Sequence, residues 1–145
     1  FAKSVDPIFQ QEVTITRMAV TKEGEEKDTE MGRKHIVPYG LYRMEGYISA
    51  NLAQAITGFS EVDLDLLWES LINMFEHDHA AARGKMATRK LIVFKHDSAL
   101  GNTPSHLLFN KVKVEKQTDI PRSFDDYTVT IDDVVEDGVT LIEKL

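Results

Sequence analysis

The chain has 145 residues, no cysteine and a formal net charge of −7. That length fits one domain with a single core, and the lack of cysteine excludes disulfides, a thiolate zinc site and a cysteine nucleophile. The longest run of large apolar residues, Leu91-Ile92-Val93-Phe94, is far too short to span a membrane.

The charges are not mixed evenly. Residues 1–60 hold seven Lys or Arg against eight Asp or Glu, and residues 61–80 hold six acids and no base. Residues 81–122 reverse the balance with nine bases and three acids, and residues 123–145 hold seven acids and one base. Local field rather than total charge decides what a surface attracts. The acidic blocks read as a solvated helix face and a solubilising tail, so the basic block is the more informative. No stretch reads as a signal peptide, and the expected location is the cytoplasm. The start on Phe1 rather than Met is expected of a fragment or a processed product.

Residues 1–21 contain Ser4-Val5-Asp6-Pro7-Ile8 and then a β-branched run from Val13 to Val20. The run predicts a strand, with Pro7 at an edge or in a turn before it. Arg17 and Met18 interrupt its alternation. They fit an exposed edge with a packed Met, or equally a hairpin presenting an Arg and a soft apolar side chain to a ligand. Residues 22–30 are highly charged and lack any apolar residue, the composition of a mobile surface loop.

A short basic turn, Arg33-Lys34-His35, closed by Val37-Pro38-Tyr39-Gly40, then feeds the most regular alternation in the chain. Tyr42, Met44, Gly46, Ile48, Ala50 and Leu52 fall on one side, and Arg43, Glu45, Tyr47, Ser49 and Asn51 on the other. A period of two predicts a strand over 41–53 with one buried and one wet face. A cationic turn beside a face carrying Arg43, Tyr47 and Asn51 suits a nucleic-acid platform. Cations hold phosphates, and an aromatic ring gives a base something to stack on.

Ser60 opens the clearest helix, as N-cap of a capping box closed by Asp63, with Glu61 and Asp65 in the positive first turn. Leu64, Leu67, Leu71, Met74 and Phe75, widened by Trp68 and Ile72, form an apolar stripe that reads as core rather than a cofactor face. The helix is expected to continue through His77 to Ala82 and stop near Gly84. A short strand follows around Leu91 to Phe94, and strand, helix, strand is an α+β order with the helix packed on a sheet. The turn-rich 96–106 loop leads to a helical turn at Leu107 to Phe109 and a strand at Val112 and Val114, with Lys111 and Lys113 on its other face. Tyr127, Val129 and Ile131 alternate as a strand, and Asp137-Gly138 reads as a hairpin turn into Val139 to Ile142.

Three kinds of function fit these residues. His77, Asp78, His96 and Asp97 could ligate a divalent ion, as in a metal-dependent nuclease or phosphohydrolase. However, His77 and His79 lie two apart on a predicted helix and face apart, whereas helical zinc pairs need three or four. No nucleophile elbow or glycine-rich phosphate loop is present. Binding is the second kind. Arg17, Arg33, Lys34, His35 and Arg43, with Arg83, Lys85, Arg89, Lys90 and Lys95, gather on one strip if the strand from Leu41 pairs with the strand from Thr88. The same cations serve equally as ordinary solubilising groups. The third kind is a protein-only interaction module.

Several long words occur in order. They are Ser4-Val5-Asp6-Pro7-Ile8, Ile15-Thr16-Arg17-Met18-Ala19, and Gly32-Arg33-Lys34-His35-Ile36-Val37-Pro38-Tyr39-Gly40-Leu41-Tyr42-Arg43. Phe75-Glu76-His77-Asp78, Ala81-Ala82-Arg83-Gly84, Val93-Phe94-Lys95-His96-Asp97-Ser98 and Leu100-Gly101-Asn102 follow. Together they resemble the backbone-subunit family of the subtype I-C CRISPR Cascade complex, in the repeat-associated RNA-binding superfamily. The resemblance is dense over 1–113 and looser to the end.

This resemblance implies a ferredoxin-like, RRM-related antiparallel palm with a packed helix, elaborated by thumb and finger insertions. Copies of such a subunit stack head to tail along a CRISPR RNA (crRNA). Each grips the RNA backbone, and the thumb kinks it, leaving bases free to pair with target DNA. The subunit is not an enzyme and needs neither cofactor nor metal. The implied partners are crRNA, target DNA through the guide, other copies and other Cascade subunits, with no membrane.

The family's N-terminal half, with its Arg-Asn-Pro-Asn-Gly-Asp type word, has no counterpart here. The whole of 1–145 is therefore expected to be the C-terminal part of one subunit domain, with a thumb-like hairpin over 1–30 and incomplete palm elements over 31–145. Matching residue by residue, the resemblance places Arg17 and Met18 on the thumb-like hairpin near the RNA kink. It puts Arg33, Lys34 and His35 on phosphates with Arg43 beside them, and Arg89 and Lys90 as further RNA contacts. The His96-Asp97-Ser98 loop would serve a neighbouring copy or the RNA.

Overall fold

A computed structural model describes residues 1–19, 24, 28–81 and 83–145. The fold is α+β, as expected: among the described residues, eight strands pair two by two into four small sheets, accompanied by few helices. The chain divides into two compact units, Phe1–Met44 with Lys116–Tyr127, and Glu45–Glu115 with Thr128–Leu145.

In the first unit, β1 (Ala2–Ser4) pairs antiparallel with β4 (Tyr42–Met44). The Val5 N–H extends that ladder by donating to the Leu41 carbonyl at 2.8 Å. The longest element is an antiparallel ribbon of β2 (Gln11–Ala19) and β3 (Asp28–Ile36), in register over nine pairs from Gln11↔Ile36 to Ala19↔Asp28. β-Branched Val13, Thr14, Ile15 and Thr16 favour this extended backbone. The basic word Arg33-Lys34-His35 therefore lies within β3 and not in a turn. Of the loop expected over 22–30, residues 22, 23 and 25–27 lie outside the described residues, while 28–30 already belong to β3.

In the second unit, Ser60 caps α1 (Glu61–Asn73) through the expected box. The Asp63 N–H donates to Ser60 Oγ at 3.3 Å, and Asp63 Oδ2 accepts from the Ser60 N–H at 2.8 Å. The Ser60 hydroxyl, which donates to Asp63 Oδ2 at 2.7 Å, and the Ser60 N–H together hold the Asp63 carboxyl below its usual range. Leu64, Leu67, Trp68, Leu71, Ile72 and Phe75 are half-buried as the stripe requires, whereas Met74 is exposed. The helix stops at Asn73, well before the expected Ala82. Glu76 and Asp78 would place negative charge at the negative helix end. Asp78 instead forms a two-pronged ion pair with Arg83, and the Gly84 N–H donates to the Ala80 carbonyl, closing a separate turn.

The strand expected over 41–53 forms only at Tyr42–Met44. Gly46 weakens an extended run, and Ser49 Oγ accepts from the Leu52 N–H at 3.3 Å, capping a helical turn at Ala50–Leu52. The condition for gathering the cations on one strip, that the 41 and 88 strands pair, is not met among the described strands. β4 pairs with β1, while β5 (Ile92–His96) pairs antiparallel with β8 (Val139–Glu143). A short helix, α2 (Ser105–Asn110), carries Leu108, which is 2% exposed. It precedes β6 (Val112–Lys116), the partner of β7 (Tyr127–Ile131). β7 and β8 are thus in different sheets. Asp137-Gly138 makes the expected turn into β8, with the Val139 N–H donating to the Glu136 carbonyl at 3.1 Å, but it does not join two paired strands.

Lys111, almost buried, explains how the acidic 132–136 connection is held. Its ammonium donates to the Val134 carbonyl at 2.6 Å and lies 3.5 Å from Glu136 Oε1 and 3.8 Å from Asp132 Oδ2. Between that connection and β8, Gly138 has φ +80° and its carbonyl accepts from the Asp97 N–H at 2.9 Å. A Cβ at Gly138 would overlap the Asn102 amide. Strain and overlap together predict that Gly138→Ala lowers stability by about 1–3 kcal/mol. Thermal unfolding of the full-length protein measures this, and an unchanged Tm would refute it.

Candidate nucleic-acid interface

Directly opposed residues of an antiparallel pair share a face, and neighbours along a strand do not. The register of β2 and β3 therefore divides the expected cluster. One face carries Arg17 opposite Glu30, Ile15 opposite Gly32, and Val13 opposite Lys34. The other carries Met18 opposite Thr29, Thr16 opposite Met31, Thr14 opposite Arg33, and Glu12 opposite His35. Arg33 and Lys34, adjacent in sequence, project from opposite faces.

Both arginines have carboxylate company. Arg17 Nε and Nη2 lie 2.7 and 2.6 Å from Glu30 Oε2, and Arg33 Nε lies 3.4 Å from Glu12 Oε1 on the diagonal. Such exposed pairs are weak, about 0–1 kcal/mol, so a guanidinium can exchange its carboxylate for a phosphate. Lys34 and His35 are exposed and make no ion pair among the described residues. Met18 and Met31 leave 71% and 76% of their surface exposed on the Arg33 face, which adds soft apolar area beside a cation.

Arg43 sits on β4 directly opposite Lys3 of β1. Lys3 escapes a sequence reading, because only the register brings it to Arg43. Arg89 and Lys90 belong to the second unit, before β5, where Lys90 Nζ bonds Glu143 Oε2 at 3.2 Å. Two residues of the metal reading, Asp78 and His96, are engaged elsewhere. Asp78 is held by Arg83, and that hydrogen bond keeps its carboxyl below the usual range. His96 Nδ1 accepts from the Asn102 N–H at 2.9 Å. Among the described residues, no group of three or more His, Asp or Glu is placed to hold a metal ion.

The first unit also contains a groove of about 390 Å³. Its wall includes Tyr39, whose ring lies 6.2 Å from that of Tyr127 at an interplanar angle of 32°. Tyr127 is 9% exposed, and burial, with the Asp6 carboxyl beside it, pushes its hydroxyl up to about 12. Among the described residues, Asp6 Oδ2 is buried without a hydrogen-bond partner.

An α+β chain of small sheets, with cations displayed on a long exposed β-ribbon, defines the class of surface presented. The family model for CRISPR-associated protein Cas7 matches residues 1–132, and the chain belongs to that family of CRISPR-associated RNA-binding structural subunits. A search of curated proteins gives no match. No helix among the described residues is long and apolar enough to cross a membrane.

The Tyr127 pair makes a testable anchor. The raised hydroxyl contributes stability in full below pH 10, its ordinary value, and loses it as pH rises towards about 12. Tyr127→Phe removes the hydroxyl and its titration, and is expected to change stability near neutrality by no more than about 1 kcal/mol. It should also flatten the loss between pH 10 and about 12. Urea unfolding at both ends of that range checks the sign; an alkaline slope equal to wild type would show that Tyr127 does not carry it.

Proposed function

We propose that this chain is the C-terminal part of the crRNA-binding backbone subunit of a subtype I-C Cascade interference complex. It polymerises along the guide, leaves the guide free to pair with target DNA, contacts other Cascade subunits, and performs no catalysis. Its location is the cytoplasm. The thumb-like element is the β2–β3 ribbon, which extends beyond the 1–30 boundary to Ile36.

The observation that carries this reading is the ribbon's display of Arg17, Arg33, Lys34 and His35 on exposed positions, with Met18 among them. Arg43, on the neighbouring β1–β4 ribbon of the same unit, is a further phosphate contact. Arg89 and Lys90 carry none of the weight. Grip on the backbone through charge and shape is sequence-tolerant by nature, because phosphates are the same at every position.

Arg33→Ala with Lys34→Ala in the full-length protein should weaken RNA binding similarly across unrelated guides. It should also reduce the slope of log affinity against log salt by about one to two units. Filter binding over a salt series measures it, and an unchanged slope removes both residues from the phosphate contacts. The single substitutions then tell which face of the ribbon meets the RNA.

A further inference from the structure

A chain without cysteine meets oxidants first at its thioethers, and this one has five methionines. They are not equally shielded. Met74 and Met86 leave 39% and 37% of their surface exposed and Met44 leaves 60%, against 71% for Met18 and 76% for Met31. The register of β2 and β3 then sets the last two together. Met18 lies opposite Thr29 and Met31 opposite Thr16, so they are diagonal neighbours on one face of the ribbon. Such neighbours stand about 7–8 Å apart, within reach of long side chains. Arg33 is the next residue of β3 on the same face.

We propose that Met18 and Met31 form an oxidation site for peroxide, and that their sulfoxidation weakens the grip of the Arg33 face on RNA. One oxygen passes from hydrogen peroxide to each thioether sulfur. The peroxide O–O bond breaks, a sulfur–oxygen bond forms, the sulfur gives up two electrons, and water leaves. The oxidation stands by itself; its effect on RNA rests on the RNA-binding reading above.

The placement of the pair supports this role. A methionine turned to water has no core gap to fill, which is the usual duty of that side chain. Oxidation makes it polar, so soft apolar area beside the cation is lost. The new oxygen is also a strong hydrogen-bond acceptor, and the guanidinium on that face is that of Arg33. Its pairing with Glu12 is exposed and weak, so a sulfoxide oxygen competes with phosphate for the same N–H donors. The other face, with Arg17 and Lys34, carries no methionine among the described residues. Dedicated reductases return the sulfoxide to the thioether, which makes the change reversible.

The test treats full-length protein with hydrogen peroxide, maps sulfoxides over time by peptide mass spectrometry, and measures RNA affinity by filter binding. Met18 and Met31 are expected to oxidise before Met44, Met74 and Met86. The oxidised protein should bind RNA about 2- to 10-fold more weakly, and the two methionine sulfoxide reductases should restore it. In Met18→Leu with Met31→Leu, affinity should be the same before and after peroxide, whatever its starting value.

Oxidation of Met18 and Met31 no faster than that of the other three methionines overturns the site. Selective oxidation with unchanged RNA affinity overturns its effect; if Arg33→Ala with Lys34→Ala still weakens binding, the RNA-binding reading stays intact. A peroxide response that persists in the leucine variant puts the cause elsewhere and overturns the proposal too. If the Arg33 and Lys34 substitutions also leave RNA binding unchanged, the RNA-binding reading falls with it.

Discussion

The nine-pair ladder between β2 and β3 decides what the exposed surface can do. Side chains along a strand alternate faces, so one register fixes which cations act together and which are separated. A slip of one residue would exchange every pairing and move Lys34 to the Met18 face. That ladder places Arg17 beside Glu30 and leaves Met18 and Met31 on the side of Arg33. The chemistry of the ribbon is therefore a property of its hydrogen bonds before it is a property of its composition.

Among the described residues only Leu108, Tyr127 and Val139 are buried apolar side chains. Local devices hold the remainder. Ser60 caps α1, Lys111 gathers the 132–136 connection, Gly138 lets a carbonyl reach Asp97, and the Tyr127 ring is buried against Tyr39. Two-stranded ribbons are marginal in water by themselves, so these local anchors matter more here than in a chain with a thick core. The charged residues of 61–80 act partly in this way too, since Asp63 and Asp78 are tied to Ser60 and Arg83.

Much of this was legible in the sequence where a local rule dominates. The Ser60–Asp63 box, the stripe from Leu64 to Phe75, the Leu91 to Phe94 strand and the alternation from Tyr127 to Ile131 all depend on near neighbours. The run over 41–53 shows where periodicity fails. Its alternation is real, but Gly46 offers nothing to a ladder, and Ser49 supplies a helix cap that wins locally. The far end of α1 failed because periodicity ignores the helix dipole, to which Glu76 and Asp78 are unfavourable. The candidate cations were found by type, yet their division between faces, and the place of Lys3 opposite Arg43, came only from strand pairing. Pro38 and Tyr39, read as the close of a basic turn, proved to line a cavity instead.

Each arginine of the ribbon is accompanied by a glutamate, and this has a consequence for selectivity. A lone small anion must displace Glu30 or Glu12 to reach its guanidinium, and it gains little by doing so in water. The two escorted arginines lie on opposite faces of the ribbon, so an anion that meets one face displaces one carboxylate. It finds Lys34 on the face of Arg17, or His35 on that of Arg33, without an ion pair among the described residues. Each face therefore offers an anion one guanidinium already turned towards an oxyanion and one group without such an escort, and the weak exposed pair costs it at most about 1 kcal/mol to open.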